Sequence, residues 1–279
     1  MIGISPAYYI SNFGTNFTLE NIIDSFEWLN KNNFTNTQLE IFHYEQIEQW
    51  HYNGCRQLLQ KLKFYNIRVS QFVAHFLMFM FESKESLLDS NGLNELEFIC
   101  NIINFFSFTN TVTIPLPPFK GDKSSNTIKS LYRNKLKQLE NISLRYNINI
   151  ALEPQPNSLA AELEFLNHFS HLGLNLDPGH LICSGINPFN LNKNILSRVM
   201  ATHLCENNGK ENLSEAPGTY SNDWYILIND LNESGYKNSF DIEIICDSTD
   251  VEKQYMNANI FLQQYCIQNN TYTKEINNE

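Results

Sequence analysis

Short β-rich apolar runs alternate with longer stretches of helical periodicity along the whole chain. Strands are expected at 2–5, 37–42, 67–74, 111–115, 148–152, 174–177, 199–204 and 239–245. Between the first strands, apolar residues recur every three or four positions, as at Ile22, Ile23, Phe26 and Leu29, then at Leu58, Leu59 and Leu62. That spacing marks one buried helical face. Further helices are expected over 87–106, 128–146 and 251–266. Ser158 reads as the N-cap of a helix after the fifth strand, and Gly173 as the glycine that ends it. Eight strand–helix repeats in about 250 residues match an α/β fold of the (β/α)8 TIM-barrel type. A doubly wound open sheet is the alternative, but Gly3 and Gly14 do not make the glycine-rich first turn it usually carries. No linker or low-complexity tract divides the chain, so 1–268 reads as one domain and 269–279 as a polar, frayed tail.

Composition narrows the function classes. A net charge of −11 over 279 residues opposes a nucleic-acid partner, because polyanion binding needs a basic field. No apolar run reaches the roughly 20 residues needed to span a bilayer, so no membrane partner is expected. The start Met1-Ile2-Gly3-Ile4-Ser5 lacks a basic n-region, so no secretory signal is expected. The six cysteines form no C-x-x-C pair, and several sit inside apolar patterns. Reduced, buried thiols of a cytoplasmic protein are the expectation.

The candidate chemistry lies at strand ends. Asp177 follows an apolar strand and precedes a Pro-Gly turn, with His180 three residues on. By itself Asp-x-x-His is more often turn chemistry than a ligand pair. Three other strand patterns, however, also end in a lone acid or imidazole. Glu153 closes 148–152, and an unpaired buried carboxylate there is expensive. Glu243 stands among Ile242, Ile244 and Ile245, which weakens a solvated-face explanation. His203, in Ala201-Thr202-His203-Leu204, is alone more easily a satisfied core histidine. In a closed barrel all strand C-termini open onto one rim, so the four can meet despite their separation in sequence. Three carboxylates and an imidazole suit Mn2+, Mg2+ or Co2+ more than a thiolate-type zinc site. Cys205 shares the inward parity of His203, which keeps Zn2+ as an alternative.

Several pieces resemble the xylose isomerase-like TIM-barrel superfamily, which holds sugar (phosphate) isomerases and epimerases and also endonuclease IV. They are Ala151-Leu152-Glu153-Pro154, Asn175-Leu176-Asp177-Pro178-Gly179-His180 and Thr202-His203-Leu204-Cys205-Glu206-Asn207. Further on come Asp223-Trp224-Tyr225-Ile226-Leu227, Gly235-Tyr236 and Asp241-Ile242-Glu243. The resemblance runs from strand five to strand eight and is looser before it, through Gln38-Leu39-Glu40-Ile41-Phe42 and His75. It implies a divalent metal held by Glu153, Asp177, His203 and Glu243, with His180 and Glu206 touching substrate oxygens. Glu153 and Glu243 would also move the proton of a ketose epimerisation through a metal-stabilised enediolate. The epimerases resembled follow a His-x-x-Glu-x-Asn pattern completed by Arg. Here His203, Glu206 and Asn208 are in step, but Gly209 stands at the arginine position. Leu159 falls about where a further glutamate of those epimerases would be.

The remaining candidates are Glu40, placed to hydrogen-bond a sugar hydroxyl or to form a rim salt bridge, together with His75 and Asn208 as substrate contacts. The run 72–81 is read either as a strand end entering a packed helix or as an aromatic cover or dimer patch. The leading expectation is a metal-dependent isomerase or epimerase acting on a small carbohydrate-like substrate, as a homodimer or homotetramer. The alternatives are a dehydratase on a polyol-type ketone and a barrel that binds without turnover. An endonuclease IV-like repair enzyme is disfavoured by the acidic charge and by Thr113-Ile114-Pro115, which offers no histidine on strand four.

Overall fold

The computed structural model, which describes residues 1–160 and 163–276, contains eight strands. These are β1 (Ile2–Ile4), β2 (Asn36–Ile41), β3 (Arg68–Ala74), β4 (Thr111–Leu116), β5 (Asn149–Pro154), β6 (Leu172–Leu176), β7 (Val199–Thr202) and β8 (Phe240–Ile242). All pair in parallel, in the order β7-β6-β5-β4-β3-β2-β1-β8. The two outer strands meet just beyond β7, where Leu204 N–H donates to Asp241 O (2.7 Å) and Leu204 O accepts from Glu243 N–H (3.1 Å). That seam brings the sheet round into a nearly closed (β/α)8 TIM barrel with helices between the strands.

Strand alternation decides what the barrel holds. On β2, Leu39 and Ile41 join the apolar layer, whereas Gln38 reaches across the interior to Asp241 of β8 and Thr202 of β7. The same period of two puts Val112 and Ile114, Leu174 and Leu176, Phe240 and Ile242 on the outer, helix-packed face. Their inward neighbours are polar: Thr113, Asn175 and Asp241, all buried. Strands covered on both faces thus read as apolar outside and polar within, rather than as apolar throughout.

Four expectations change. The segment between β5 and β6 forms no α-helix among the described residues, only turns and a 3-10 helix, Glu164–Asn167. Residues 161 and 162, inside the expected helix, lie outside the described residues. Its seventeen residues make it the shortest of the seven connections between consecutive strands. Gly173 accordingly lies inside β6, where a Cβ would collide with Met200 of β7. The helix expected over 87–106 is two helices, Lys84–Leu88 and Leu93–Phe106, separated by a turn.

The last helix, Val251–Ile276, outruns the end expected at 266. Its inner face of Val251, Tyr255, Ala258 and Leu262 is docked on the barrel, and continuing a docked helix costs little per added residue. The end of the expected tail, 277–279, lies outside the described residues. The apolar run 72–81 takes its plainer form: β3 passes into a 3-10 helix, His75–Phe81, with Phe76, Leu77, Met80 and Phe81 buried in the core. No helix among the described residues is long and apolar enough to cross a membrane.

Candidate metal centre and active site

The Asp177-Pro178-Gly179-His180 turn shows how a strand end becomes a donor. Asp177 is the N-cap of the short helix Pro178–Cys183, and its Oδ1 accepts the His180 N–H at 2.9 Å. Pro178 at the first helical position has no N–H to satisfy. The Cys205 thiol donates to the same oxygen at 3.2 Å. With Oδ1 engaged, Oδ2 is left buried and without a hydrogen-bond partner. Turn chemistry and ligand chemistry therefore use different oxygens of one carboxylate.

Glu153 at the end of β5, Asp177 after β6, His203 after β7 and Glu243 after β8 bring one donor atom each to within 4.8 Å of one another. His203 Nδ1 lies 2.8 Å from Glu243 Oε2 and 3.1 Å from Glu153 Oε1. His180 Nδ1 lies 3.3 Å from Asp177 Oδ2 and 3.4 Å from Glu153 Oε1. Glu153, Asp177, His180 and His203 are buried, and Glu243 is half-buried at the cavity edge. Neither Nδ1 atom is aligned for a hydrogen bond, so both imidazoles and Asp177 Oδ2 converge without satisfying one another. Buried, orphaned donors gathered around one point fit a divalent cation, and their oxygen-rich set is the type hard or borderline metals take.

The electrostatics point the same way. Burial opposes charge on His203, but the carboxylates of Glu153 and Glu243 outweigh it and raise the imidazole well above its ordinary range. His180 is raised likewise, with burial overcome by Asp177 and Glu153. Burial also disfavours charge on Glu153, yet His203 holds that carboxyl below the usual range. Asp177 is pushed up to about 6 by burial, helped by Glu243 and Glu153. Glu40 is driven well above its ordinary value by burial and then by Glu243. The two imidazoles thus set positive charge against the crowded acids. Burial and Asp177 also keep the Cys205 thiol protonated, which argues against it as a thiolate ligand.

A cavity of about 190 Å3 opens above the cluster. Glu153, His203, Glu243 and His180 line it together with Glu40 and His75. The His75 ring stacks on Phe42 at 4.0 Å and 11°, and burial lowers its pKa. Gln155, Asn212 and Ser214 add polar groups that the sequence reading passed over. Asn212 Nδ2 lies 2.9 Å from His180 Nε2 and ties that ring to the loop after β7.

Two expected contacts do not line this cavity. Glu206 is buried but turns away from it, accepting Tyr220 N–H at 2.8 Å, Asn222 Nδ2–H at 3.1 Å and the Trp224 indole N–H. Its carboxylate is spent holding the loop that leads to the helix Trp224–Glu233. Asn208 is exposed, and its Oδ1 accepts the N–H groups of Lys210 and Glu211 in a tight turn. Gly209 in that turn has φ +78°, a left-handed backbone that an arginine would adopt only with strain.

The supporting residues follow a rule readable from sequence. Gln38, Asn175 and Asp241 each stand two positions before a rim acid, on the same inward face as Glu40, Asp177 and Glu243. Asn175 Nδ2 donates to Glu153 Oε2 at 3.2 Å, and Gln38 Oε1 lies 2.8 Å from His203 Nε2. Metal sites are commonly oriented by such outer partners.

Among solved structures, the L-ribulose 3-epimerase matches with TM-score 0.76 at 10% identity, over 99% of this chain and 97% of that one. A D-tagatose 3-epimerase-like protein matches with TM-score 0.74 at 17% identity, over 98% and 99%. The IolI protein with a bound zinc atom matches with TM-score 0.70 at 15% identity, over 93% and 96%. At these identities the likeness shows the shared fold. No curated protein sequence matches the chain. Residues 24–265 match the model of the xylose isomerase-like TIM barrel, and the chain belongs to that family.

Proposed function

We propose that this protein is a divalent-metal-dependent isomerase or epimerase of a sugar or sugar derivative, working by proton abstraction next to a carbonyl. The observation that carries the reading is the convergence of Glu153, Asp177, His203 and Glu243 beneath a cavity large enough for a small polyol. These four residues would hold the ion, with Mn2+, Mg2+ or Co2+ preferred over Zn2+ by the oxygen-rich donor set. When bound, the ion supplies Lewis-acid polarisation of a carbonyl and offsets the charge of the enediolate that follows.

The chain's own groups supply the rest. Glu153 and Glu243 come from strands separated round the barrel by β6 and β7, and they move the proton. Glu153 is oriented by Asn175, whose Nδ2 donates to its Oε2 at 3.2 Å. Glu243, half-buried, is the more accessible to an incoming substrate. Glu40 hydrogen-bonds a substrate hydroxyl from the cavity wall, and His180 and His75 contact further oxygens. Ile10, Phe42, Val73, Pro115 and Ile245 form an apolar wall that limits water at the reacting carbons.

A second reading, a barrel that binds a sugar without turning it over, is favoured by the loop after β7. There Glu206 and Asn208 are committed to the fold, and no arginine follows them. Incubating Mn2+-loaded protein with a panel of ketoses in D2O separates the possibilities. Deuterium entering the sugar without loss of water supports the isomerase or epimerase, and loss of water supports a dehydratase. Metal and sugar binding with neither leaves the binder.

A further inference from the structure

One layer below the cluster, Gln38 of β2 and Asp241 of β8 are fully buried in the barrel interior. We propose that Gln38 is a positioning residue that fixes which nitrogen of His203 faces the metal. The proposal rests on reading Glu153, Asp177, His203 and Glu243 as a metal centre.

The argument starts from the two unlike ends of a primary amide. Gln38 Nε2 donates to Asp241 Oδ2 at 2.8 Å and lies 3.3 Å from Thr202 O, and both of those atoms only accept. The flipped amide would set its oxygen against a carboxylate and a carbonyl. Asp241 is fixed in turn: Ser70 Oγ–H donates to Oδ2, and Asp241 N–H donates to Thr202 Oγ1 at 3.0 Å. Ser70 is aimed inward by an irregularity in the sheet. Thr37 and Leu39 of β2 pair with Val69 and Phe72, so β3 carries one extra residue opposite Gln38. Such a bulge redirects the side chains around it.

With the amide locked, Gln38 Oε1 faces His203 Nε2 at 2.8 Å. An amide oxygen can only accept, so Nε2 must carry the hydrogen. Nδ1 is then the atom left toward Glu153 Oε1 and Glu243 Oε2. Metal-bound imidazoles usually give their second N–H to a carboxylate, a carbonyl or water. Here the Asp241 carboxylate sits one amide further away. It sets the tautomer through Gln38 without placing a third full negative charge directly against the imidazole.

The test is a titration with Mn2+ alone, following free ion by electron paramagnetic resonance, for the wild type, Q38L and Q38E. Q38L removes the acceptor and is expected to weaken Mn2+ binding about 10–100-fold. Q38E keeps an oxygen at the acceptor position, with its other oxygen sharing one proton with the buried Asp241 carboxylate, and is expected to lose less Mn2+ affinity than Q38L. Equal affinity of Q38L and wild type overturns the role of Gln38, as does a Q38E loss as large as that of Q38L. A wild type that binds no Mn2+ overturns the metal-centre reading and this role with it. If Q38L does not fold, 15N spectra of His-labelled, Zn2+-loaded wild type decide the matter. A His203 ring protonated at Nε2 with Nδ1 metal-bound supports the proposal, and the opposite tautomer overturns it.

Discussion

Around the open end of the barrel, β5, β6, β7 and β8 each deliver one acid or imidazole to a shared point. The rim of β1 to β4 delivers Glu40 and His75 to the cavity, with Phe42, Val73 and Pro115 as apolar wall. Both halves use the same inward parity and the same parallel pairing. They differ in whether the buried polar ends converge. In the second half four of them bring donor atoms to within 4.8 Å of one another. In the first half Glu40 reaches the cavity with Oε2 also unpaired, while Gln38, bonded to Asp241 and His203, supports the other half from below. The lesson is a division of labour, in which one half holds charge and the other shapes and orients what surrounds it.

That division can be broken most severely at the second half. His203→Ala removes a donor and is expected to weaken Mn2+ binding by more than about 100-fold, beyond the loss typical of an outer partner, as read by calorimetry. E243Q is expected to lower deuterium exchange into any substrate ketose by about 10^2–10^4-fold, the usual worth of a positioned acid–base group. A packing change away from both rims separates stability from chemistry. Leu262→Ala, in the docked face of the last helix, is expected to cost about 2–5 kcal/mol of unfolding free energy while leaving metal stoichiometry at one ion per folded chain.

Glu206→Gln sharpens the contrast between a loop-holding acid and a cavity acid. Weakening its bonds to Tyr220, Asn222 and Trp224 is expected to cost about 1–3 kcal/mol, seen in denaturant melts, with unchanged Mn2+ affinity. Protonation gives a subtler test. In the metal-free protein Asp177 and His203 both titrate above their ordinary values, so the folded state binds the extra protons. Their contribution to stability is therefore present at low pH and lost as pH rises through about 6 for Asp177, then through the raised value of His203. A bound metal needs those ligands deprotonated, so metal-dependent stabilisation must grow over the same rise in pH. Thermal melts with and without Mn2+ across that range should show opposite slopes. The smallest effect is expected for Asn208→Ala, exposed in its turn, at within about 0.5 kcal/mol.

Much of this architecture is legible in the residues. Eight β-rich runs gave the strands because each carries an outer apolar row, such as Leu39–Ile41 or Leu174–Leu176, that only a helical layer can cover. Glu153, Asp177, His203 and Glu243 stood out because a charge at the end of such a row must be compensated. That the described residues between β5 and β6 form no α-helix was not legible. Ser158 and Gly173 imitate caps, but Gly173 answers to Met200 on a neighbouring strand, a contact with no local signal. Glu206 was misplaced for a similar reason. Its spacing from His203 says where it lies along the chain, not that Trp224, eighteen residues later, would turn it from the cavity.

The most direct test of the central claim is an anomalous difference map at the manganese edge from a crystal soaked in Mn2+. The account predicts one dominant peak at coordination distance from Glu153, Asp177, His203 and Glu243 together. Full occupancy at any other place, with these four side chains still paired among themselves, would contradict it.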